Sequence, residues 1–281
     1  MYNYVMIPEW KTNFLYFSEL LPEKHPRFWG RLKDILKEEA IKYSFLPFTK
    51  DIWCRDYMPV QISKTEFVQF RYDPDYLKDR KYCQLKTEPA PINNALQISP
   101  LYSELILDGG NIIYSSDTAI LTDKIFKENH SINRDELIKT IQRSLMVKNI
   151  YILPRQPYDI YGHADGMVRF IDDNTILIND LSNESTTYQR KLKSALSRIP
   201  FNIIPLTVPI KHRFYWAYIN YIHIGNSIIL PVVGHEVEKI VLKQFKTIFP
   251  DCNIRTINAR EILLKGGGLH CISWNVKLPF K

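Results

Sequence analysis

Asn111-Ile112-Ile113-Tyr114-Ser115-Ser116-Asp117-Thr118-Ala119-Ile120-Leu121-Thr122 reads as two strands joined by a polar turn. Both arms are rich in apolar and β-branched residues, and Ser115-Ser116-Asp117 supplies turn chemistry. A lone hairpin is at best marginally stable, so the fold depends on where else this shape occurs. Pro59-Val60-Gln61-Ile62 and Phe67-Val68-Gln69-Phe70 flank Ser63-Lys64; Met167-Val168-Arg169-Phe170 and Thr175-Ile176-Leu177-Ile178 flank Asp172-Asp173-Asn174. Ile219-Asn220-Tyr221-Ile222-His223-Ile224 turns at Gly225-Asn226 into Ser227-Ile228-Ile229-Leu230. From turn to turn the separations are 52, 57 and 53 residues. The architecture repeats although the residues do not.

Between hairpins a helix and a single strand recur. Asn133 and Glu136 form a capping box ahead of Leu137, Ile138, Ile141 and Leu145, and Asn149-Ile150-Tyr151-Ile152 follows. Asn183 is expected to cap a helix bearing Leu192, Ala195, Leu196 and Ile199, before Asn202-Ile203-Ile204. Val237, Ile240, Val241 and Phe245 mark another, before Asn253-Ile254-Arg255-Thr256-Ile257, and Leu32, Ile35, Leu36 and Ala40 place an amphipathic helix within residues 27–43. A unit of strand, strand, helix, strand needs neighbours to bury its faces. One further period reaches the chain end, so a strand starting at Cys271 and the N-terminal segment together make a fifth unit. The expected fold is α/β, a five-bladed α/β propeller of ββαβ repeats, with residues 1–281 as one domain. Residues 72–104 are polar, proline-bearing and aperiodic, and are expected to form a long covering loop with one short helical turn.

With 45% hydrophobic residues in 281, the chain can bury a sizeable core. No stretch approaches the roughly 20 apolar residues of a membrane span, and the start lacks a basic region followed by an apolar core. No membrane partner is expected, and the cytoplasm is the expected compartment. Cys54, Cys83, Cys252 and Cys271 form no CxxC pair, which suits reduced thiols and implies no zinc site. The net charge of +7 is dispersed among acids rather than gathered in a run, so nucleic acid is not an expected partner. A cationic ligand would have to be held by local carboxylates.

The unusual residues all fall at one end of their units. Arg55-Asp56 precedes the first hairpin, Asp108-Gly109-Gly110 the second, Gly162-His163-Ala164-Asp165-Gly166 the third; Tyr218-Ile219-Asn220 enters the fourth and Gly266-Gly267-Gly268-Leu269-His270-Cys271 the fifth. Taken singly, each has a plainer reading. Arg55-Asp56 is a structural ion pair, Asp108-Gly109-Gly110 a turn, His163-x-Asp165 a surface loop or half a metal site, Trp53 a core aromatic and Cys271 a small buried hydrophobe. In a closed ring, equivalent ends of repeats face one another, so these residues converge on one pocket. A cysteine, a histidine and three carboxylates in one pocket suit covalent catalysis on a cation: a thiolate attacks carbon, a histidine moves protons, and carboxylates grip a planar guanidinium. Nearby acids suppress ionisation of the thiol until the cation compensates them.

In this set of motifs the chain resembles the agmatine deiminases and bacterial-type peptidylarginine deiminases, among the guanidine-modifying enzymes. The matching stretches are Ile7-Pro8-Glu9-Trp10, Trp53-x-Arg55-Asp56-x-x-Pro59, Asp108-Gly109-Gly110-Asn111, Gly162-His163-x-Asp165, Tyr218-x-Asn220, Asn258-Ala259-Arg260-Glu261 and the run ending at Cys271. The resemblance implies the five-bladed pentein propeller, reached above from the repeat. It implies that Cys271 is the nucleophile, that His163 protonates departing ammonia and then activates water, and that Asp108 orients His163. It implies that Asp56 and Asp165 hold the guanidinium, that Asn220 lines the pocket with Trp53 beside the substrate, and that neither metal nor other cofactor takes part. Agmatine is the leading substrate. Arginine or peptidylarginine deimination, amidino transfer to an amine, and a catalytically silent guanidinium- or protein-binding propeller stand as alternatives, and homo-oligomerisation stays open. Departures from the family pattern are Tyr57-Met58, Gly166, Asp108 where Glu is typical, and no Asn-x-Trp-Gly-Gly segment after Phe67. Lys78, Arg80 and Lys81 are expected to repel an amine. His270 is expected to face away from Cys271 as a structural residue, and the other three cysteines to serve packing.

Overall fold

The computed structural model describes residues 6–210 and 212–279. Its strands form five three-stranded sheets. In the first blade, Val60–Gln61 and Phe67–Arg71 form the hairpin, the helix Pro89–Ala95 crosses over, and Leu101–Ile106 returns parallel to the middle strand. The second blade repeats this with Ile113–Tyr114, Thr118–Thr122, helix Arg134–Leu145 and Asn149–Leu153. The third uses Val168–Asp172, Thr175–Asn179, helix Thr186–Leu196 and Asn202–Leu206; the fourth uses Ile222–Ile224, Ser227–Val232, helix Glu238–Ile248 and Asn253–Asn258. The fifth takes its first strand, Trp274–Val276, from the C-terminal end and the rest from the N-terminal end: Phe14–Ser18, helix Pro26–Glu38 and Lys42–Leu46. The register Phe14↔Val276, Leu15↔Asn275, Tyr16↔Trp274 closes the ring. This is the expected five-bladed α/β propeller.

The blades need one another because each apolar cluster draws on two of them. Leu137, Ile141 and Leu145 of the second blade's helix pack with Val68 and Phe70 of the first blade. Tyr188, Leu192 and Leu196 of the third blade's helix share a cluster with Ile113 and Ile120 of the second. Val241 and Phe245 of the fourth meet Leu177 of the third, and Phe28, Leu32 and Leu36 of the fifth meet Ile224 and Ile229 of the fourth. Ile92 of the first blade lies with Leu46 and Trp274 of the fifth, which completes the circle. Each such side chain contributes about 1.5–3 kcal/mol when buried, so removing a blade would strip the cover from its neighbour.

Helix starts follow local chemistry. Asn133 accepts from the backbone N–H groups of Asp135 and Glu136, as an N-cap does. In the third blade Ser185 is the cap, accepting from Tyr188 N; the expected Asn183 ends the turn Leu181–Asn183, and its side chain lies outside the described residues. Residues 72–104 differ from expectation. Their C-terminal part supplies the blade's helix, Pro89–Ala95, and the strand that begins at Leu101, so only residues 72–88 cover the ring. Seven residues that include Pro89 and Pro91 in the first turn carry too little periodicity to announce a helix. Residues Tyr215–Ile219 form a 3-10 turn and the fourth blade's strand starts at Ile222, later than its β-branched composition suggests. Among the described residues no helix is long and apolar enough to cross a membrane.

Candidate active site

The segments Cys54–Tyr57, Gly109–Asn111, Ala164–Gly166 and Tyr215–Ile219 pack on one another in turn at one end of the ring. Cys271 joins them from a turn, not from the strand, which begins at Trp274. The turn is fixed by Ser273 N donating to His270 O at 3.1 Å and by Arg55 N donating to Cys271 O at 3.1 Å. Glycines let the side chains close in. A Cβ on Gly267 would stand 2.4 Å from the Trp53 ring and one on Gly268 would stand 2.3 Å from Asn220 Oδ1.

Around the thiol, Cys271 Sγ lies 3.4 Å from both Asp165 Oδ2 and Asn220 Oδ1. Asn220 Oδ1 also accepts from the backbone N–H of His270 at 3.0 Å and of Cys271 at 3.4 Å, while its Nδ2 donates to Asp165 O at 3.2 Å. Across the cleft, His163 Nε2 donates to Asp108 Oδ2 at 2.9 Å and its Nδ1 lies 3.6 Å from Asp56 Oδ1. Gly110 N donates to that same Asp56 oxygen at 3.1 Å. All seven residues expected in the pocket, Trp53, Asp56, Asp108, His163, Asp165, Asn220 and Cys271, therefore belong to one neighbourhood.

The cleft has two lobes. One, of about 650 Å³, is lined by His163, Asp165, Asn220 and Cys271 and extends to Gln156, Tyr215 and Trp216. The other, of about 350 Å³, reaches His163 and Cys271 past Trp53 and Asp56 and is covered by Tyr72, Tyr76, Leu77, Tyr82 and Leu85. Ile160 and Tyr161 border both. Lys78, Arg80 and Lys81, expected to oppose an amine, are exposed, and the covering segment offers the cleft tyrosines and leucines instead.

Electrostatics follow from burial. Desolvation, reinforced by Asp165 and Asp56, pushes the Cys271 thiol well above its ordinary range. Burial also dominates at Asp56, which stands at about 7 despite the help of His163. For Asp108, burial alone would raise the carboxyl, but Lys124 and His163 outweigh it and bring it to about 2. Desolvation disfavours charge on His163, yet Asp56 and Asp108 lift it to about 9. Asp165 stays below the usual carboxylate range because His270 overcomes the cost of burial.

Several neighbours escaped the sequence reading. His270 does not simply face away: its Nδ1 lies 2.7 Å from Asp165 Oδ2 and its Nε2 2.8 Å from Glu9 Oε1. Glu9 also meets Arg169 and, at 3.2 Å, Arg55, whose Nη2 donates to Asn275 Oδ1 at 2.7 Å. Its sequence signal was the Pro8-Glu9-Trp10 motif. Lys124, 2.7 Å from Asp108 Oδ2, had none beyond its place at the end of a strand.

Fold and pocket together define a five-bladed α/β propeller whose loops gather a cysteine, a histidine and three carboxylates. The chain belongs to the Porphyromonas-type peptidyl-arginine deiminase family, whose model matches residues 29–276. A protein of Mycoplasma mycoides, provisionally named an agmatine deiminase, is 23% identical over an alignment of 241 positions that covers 73% of this chain and 64% of that protein. A Listeria monocytogenes relative with a similar provisional name is 23% identical over an alignment of 245 positions that covers 74% of this chain and 65% of its own. The match thus spans under two thirds of these relatives' length. Among solved structures, the agmatine deiminase of C. jejuni superposes with TM-score 0.80 at 21% identity, covering 99% of this chain and 97% of the other. The amidinotransferase SxtG of Microseira wollei shares the fold with TM-score 0.66 at 12% identity, covering 99% of this chain and 98% of the other.

Proposed function

We propose that this protein deiminates a guanidinium compound, agmatine first among them, with Cys271 as nucleophile and residues 1–281 acting as one domain. Support comes from family membership and, above all, from one juxtaposition: a thiol 3.4 Å from Asp165 in a cleft whose opposite wall is the Asp56–His163 pair. Asp56 and Asp165 take the guanidinium nitrogens, and the cation offsets the carboxylates that keep the thiol protonated. Cys271 gives its proton to solvent, and the thiolate attacks the central carbon. His163, oriented by Asp108, protonates the departing nitrogen, and the C–N bond breaks to release ammonia and leave a thiouronium. His163 then takes a proton from water, whose oxygen adds to the same carbon; collapse breaks the C–S bond, the hydroxyl proton passes to the departing Cys271 sulfur, and the neutral ureido product is freed. Asn220 fixes the turn that presents the thiol, and Trp53 walls the smaller lobe.

The test is to incubate the protein with agmatine, arginine and an arginyl peptide and measure ammonia and ureido product. Turnover of agmatine supports the reading, and turnover of either other compound alone moves the substrate but keeps the chemistry. No product and no thiouronium on Cys271 with any of them refutes it. Amidino transfer is a second reading, favoured by the second lobe reaching Cys271: a thiouronium that persists until an amine is added would select it. The free thiols Cys54, Cys83, Cys252 and Cys271 fit a reducing, cytoplasmic setting.

A further inference from the structure

Behind His163 lies a second layer of charge that the chemistry above does not use. Lys124 is 1% exposed, and its Nζ sits 2.7 Å from Asp108 Oδ2 and 3.1 Å from Glu128 Oε1. The same Asp108 oxygen receives His163 Nε2 at 2.9 Å and the Tyr76 hydroxyl at 3.3 Å, while Asp108 Oδ1 has no partner among the described residues. Three donors on one oxygen hold the carboxylate in a single orientation. Glu128 Oε1 in turn accepts from the backbone N–H of Asp75 at 3.3 Å, and the Lys124 ammonium lies 4.7 Å from the centre of the Tyr76 ring. Asp75 and Tyr76 belong to the segment that covers the smaller lobe.

Such a buried lysine is costly unless its charge is matched, and here two carboxylates match it. We propose that Lys124 is a positioning residue: it pins Asp108 against His163 and, through Glu128 and Tyr76, ties the covering segment to that pair. The proposal rests on the deiminase reading for its kinetic effect but not for its structural one. His163 is also faced by Asp56 from the first blade, by Cys271 from the fifth, and by Asp159, Tyr161 and Asp165 from its own loop. Tyr76 of the covering segment packs on both His163 and Lys124, and none of the other groups is hydrogen-bonded or ion-paired to Lys124 among the described residues, so a shift in His163 reports on the Lys124–Tyr76–Asp108 cluster.

The experiment is a histidine-labelled NMR titration of the full chain, which needs no substrate. In Lys124→Met, losing a cation that shares an oxygen with His163 moves the His163 midpoint up by about one pH unit. In Glu128→Gln the lysine's charge falls wholly on Asp108, and the midpoint moves down. An unmoved or lowered midpoint in folded Lys124→Met overturns the proposal. If that variant does not fold, an unmoved or raised midpoint in Glu128→Gln does so. With agmatine, Lys124→Met lowers kcat about tenfold or more while KM, set by Asp56 and Asp165, changes less than twofold. A KM change without a kcat change also overturns it. Should the parent itself not turn over agmatine, the functional reading fails and the titration still decides the role of Lys124.

Discussion

Gly268→Ala tests whether the glycine run exists to let Asn220 reach the nucleophile's turn. The added Cβ would lie 2.3 Å from Asn220 Oδ1 and 2.8 Å from its Cγ, against 3.4 Å or more for an ordinary contact. The amide must retreat by about 1 Å. That retreat breaks its bonds to the backbone N–H groups of His270, at 3.0 Å, and Cys271, at 3.4 Å, and takes it from the sulfur. His270 N keeps the backbone oxygen of Asn220 at 3.2 Å, so one buried N–H, that of Cys271, is left unpaired at a cost of roughly 1–3 kcal/mol, and a shift of about 1 Å at a reacting centre costs on the order of 100-fold in rate. The expected result is a folded protein, several degrees less stable by thermal melting, with kcat for agmatine down about 100-fold. Gly30→Ala is the control. Gly30 is exposed within the helix Pro26–Glu38 with nothing within 4 Å of its Cβ position, so that change should stabilise by about 0.5–1 kcal/mol and leave turnover intact. Gly268→Ala with parental stability and kcat would show that Asn220 does not depend on this approach, and the reasoning would fail.

Between about 7, where Asp56 ionises, and about 9, where His163 loses its proton, the free protein holds the pair that the proposed chemistry needs. A kcat/KM profile for agmatine should be bell-shaped with limbs near those values, and an optimum on the acid side of both would contradict the assignment. His163 sits at about 9, above its ordinary 6.5, so proton binding stabilises the fold fully below about 6.5 and this is lost as pH rises through about 9. Asp56 has the same sign, its contribution fading as pH climbs to about 7. The urea midpoint should fall over that alkaline range, and fall less in His163→Ala. Glu9→Gln leaves Arg55 and Arg169 buried without their carboxylate and should cost roughly 3–5 kcal/mol in urea denaturation; a loss below about 1 kcal/mol would remove Glu9 from the hub. In the free protein iodoacetamide should modify exposed Cys83 while sparing Cys271, whose thiol is buried and held protonated, with peptide mass mapping as the readout.

Hairpins were legible because alternation and turn residues are local properties, and their spacing carried the ring. Elements fixed by distant partners were not. The helix Pro89–Ala95 owes its place to Ile92, buried in a cluster with Leu46 and Trp274 from both ends of the chain. Cys271 falls outside its strand because Arg55 and Asn220 take its backbone groups, bonds that no local pattern foretells. The site's inner residues were visible through their motifs. Lys124 was not, since a lysine after a strand reads as solvated until the fold sets two carboxylates beside it.

The site's charges divide into two groups with different tasks. At the axis, Glu9 meets Arg55, Arg169 and His270, and these tether the loops: Arg55 N bonds Cys271 O, Arg169 bonds the carbonyls of Ile219 and Tyr221 on either side of Asn220, and His270 bonds Asp165. This group sets one carboxylate between two guanidiniums and makes the back wall on which the loops are held. On the cleft side, Asp56, Asp165 and His163 line the lobes with Asp108 and Lys124 behind His163, three carboxylates against two cations, so ionising Cys271 would add further negative charge where burial already opposes it. A guanidinium brings the missing positive charge together with the electrophilic carbon. A neutral ureido group brings none. On the proposed chemistry the same imbalance that selects the substrate weakens the hold on the product, so the charge lost in the reaction also serves its release.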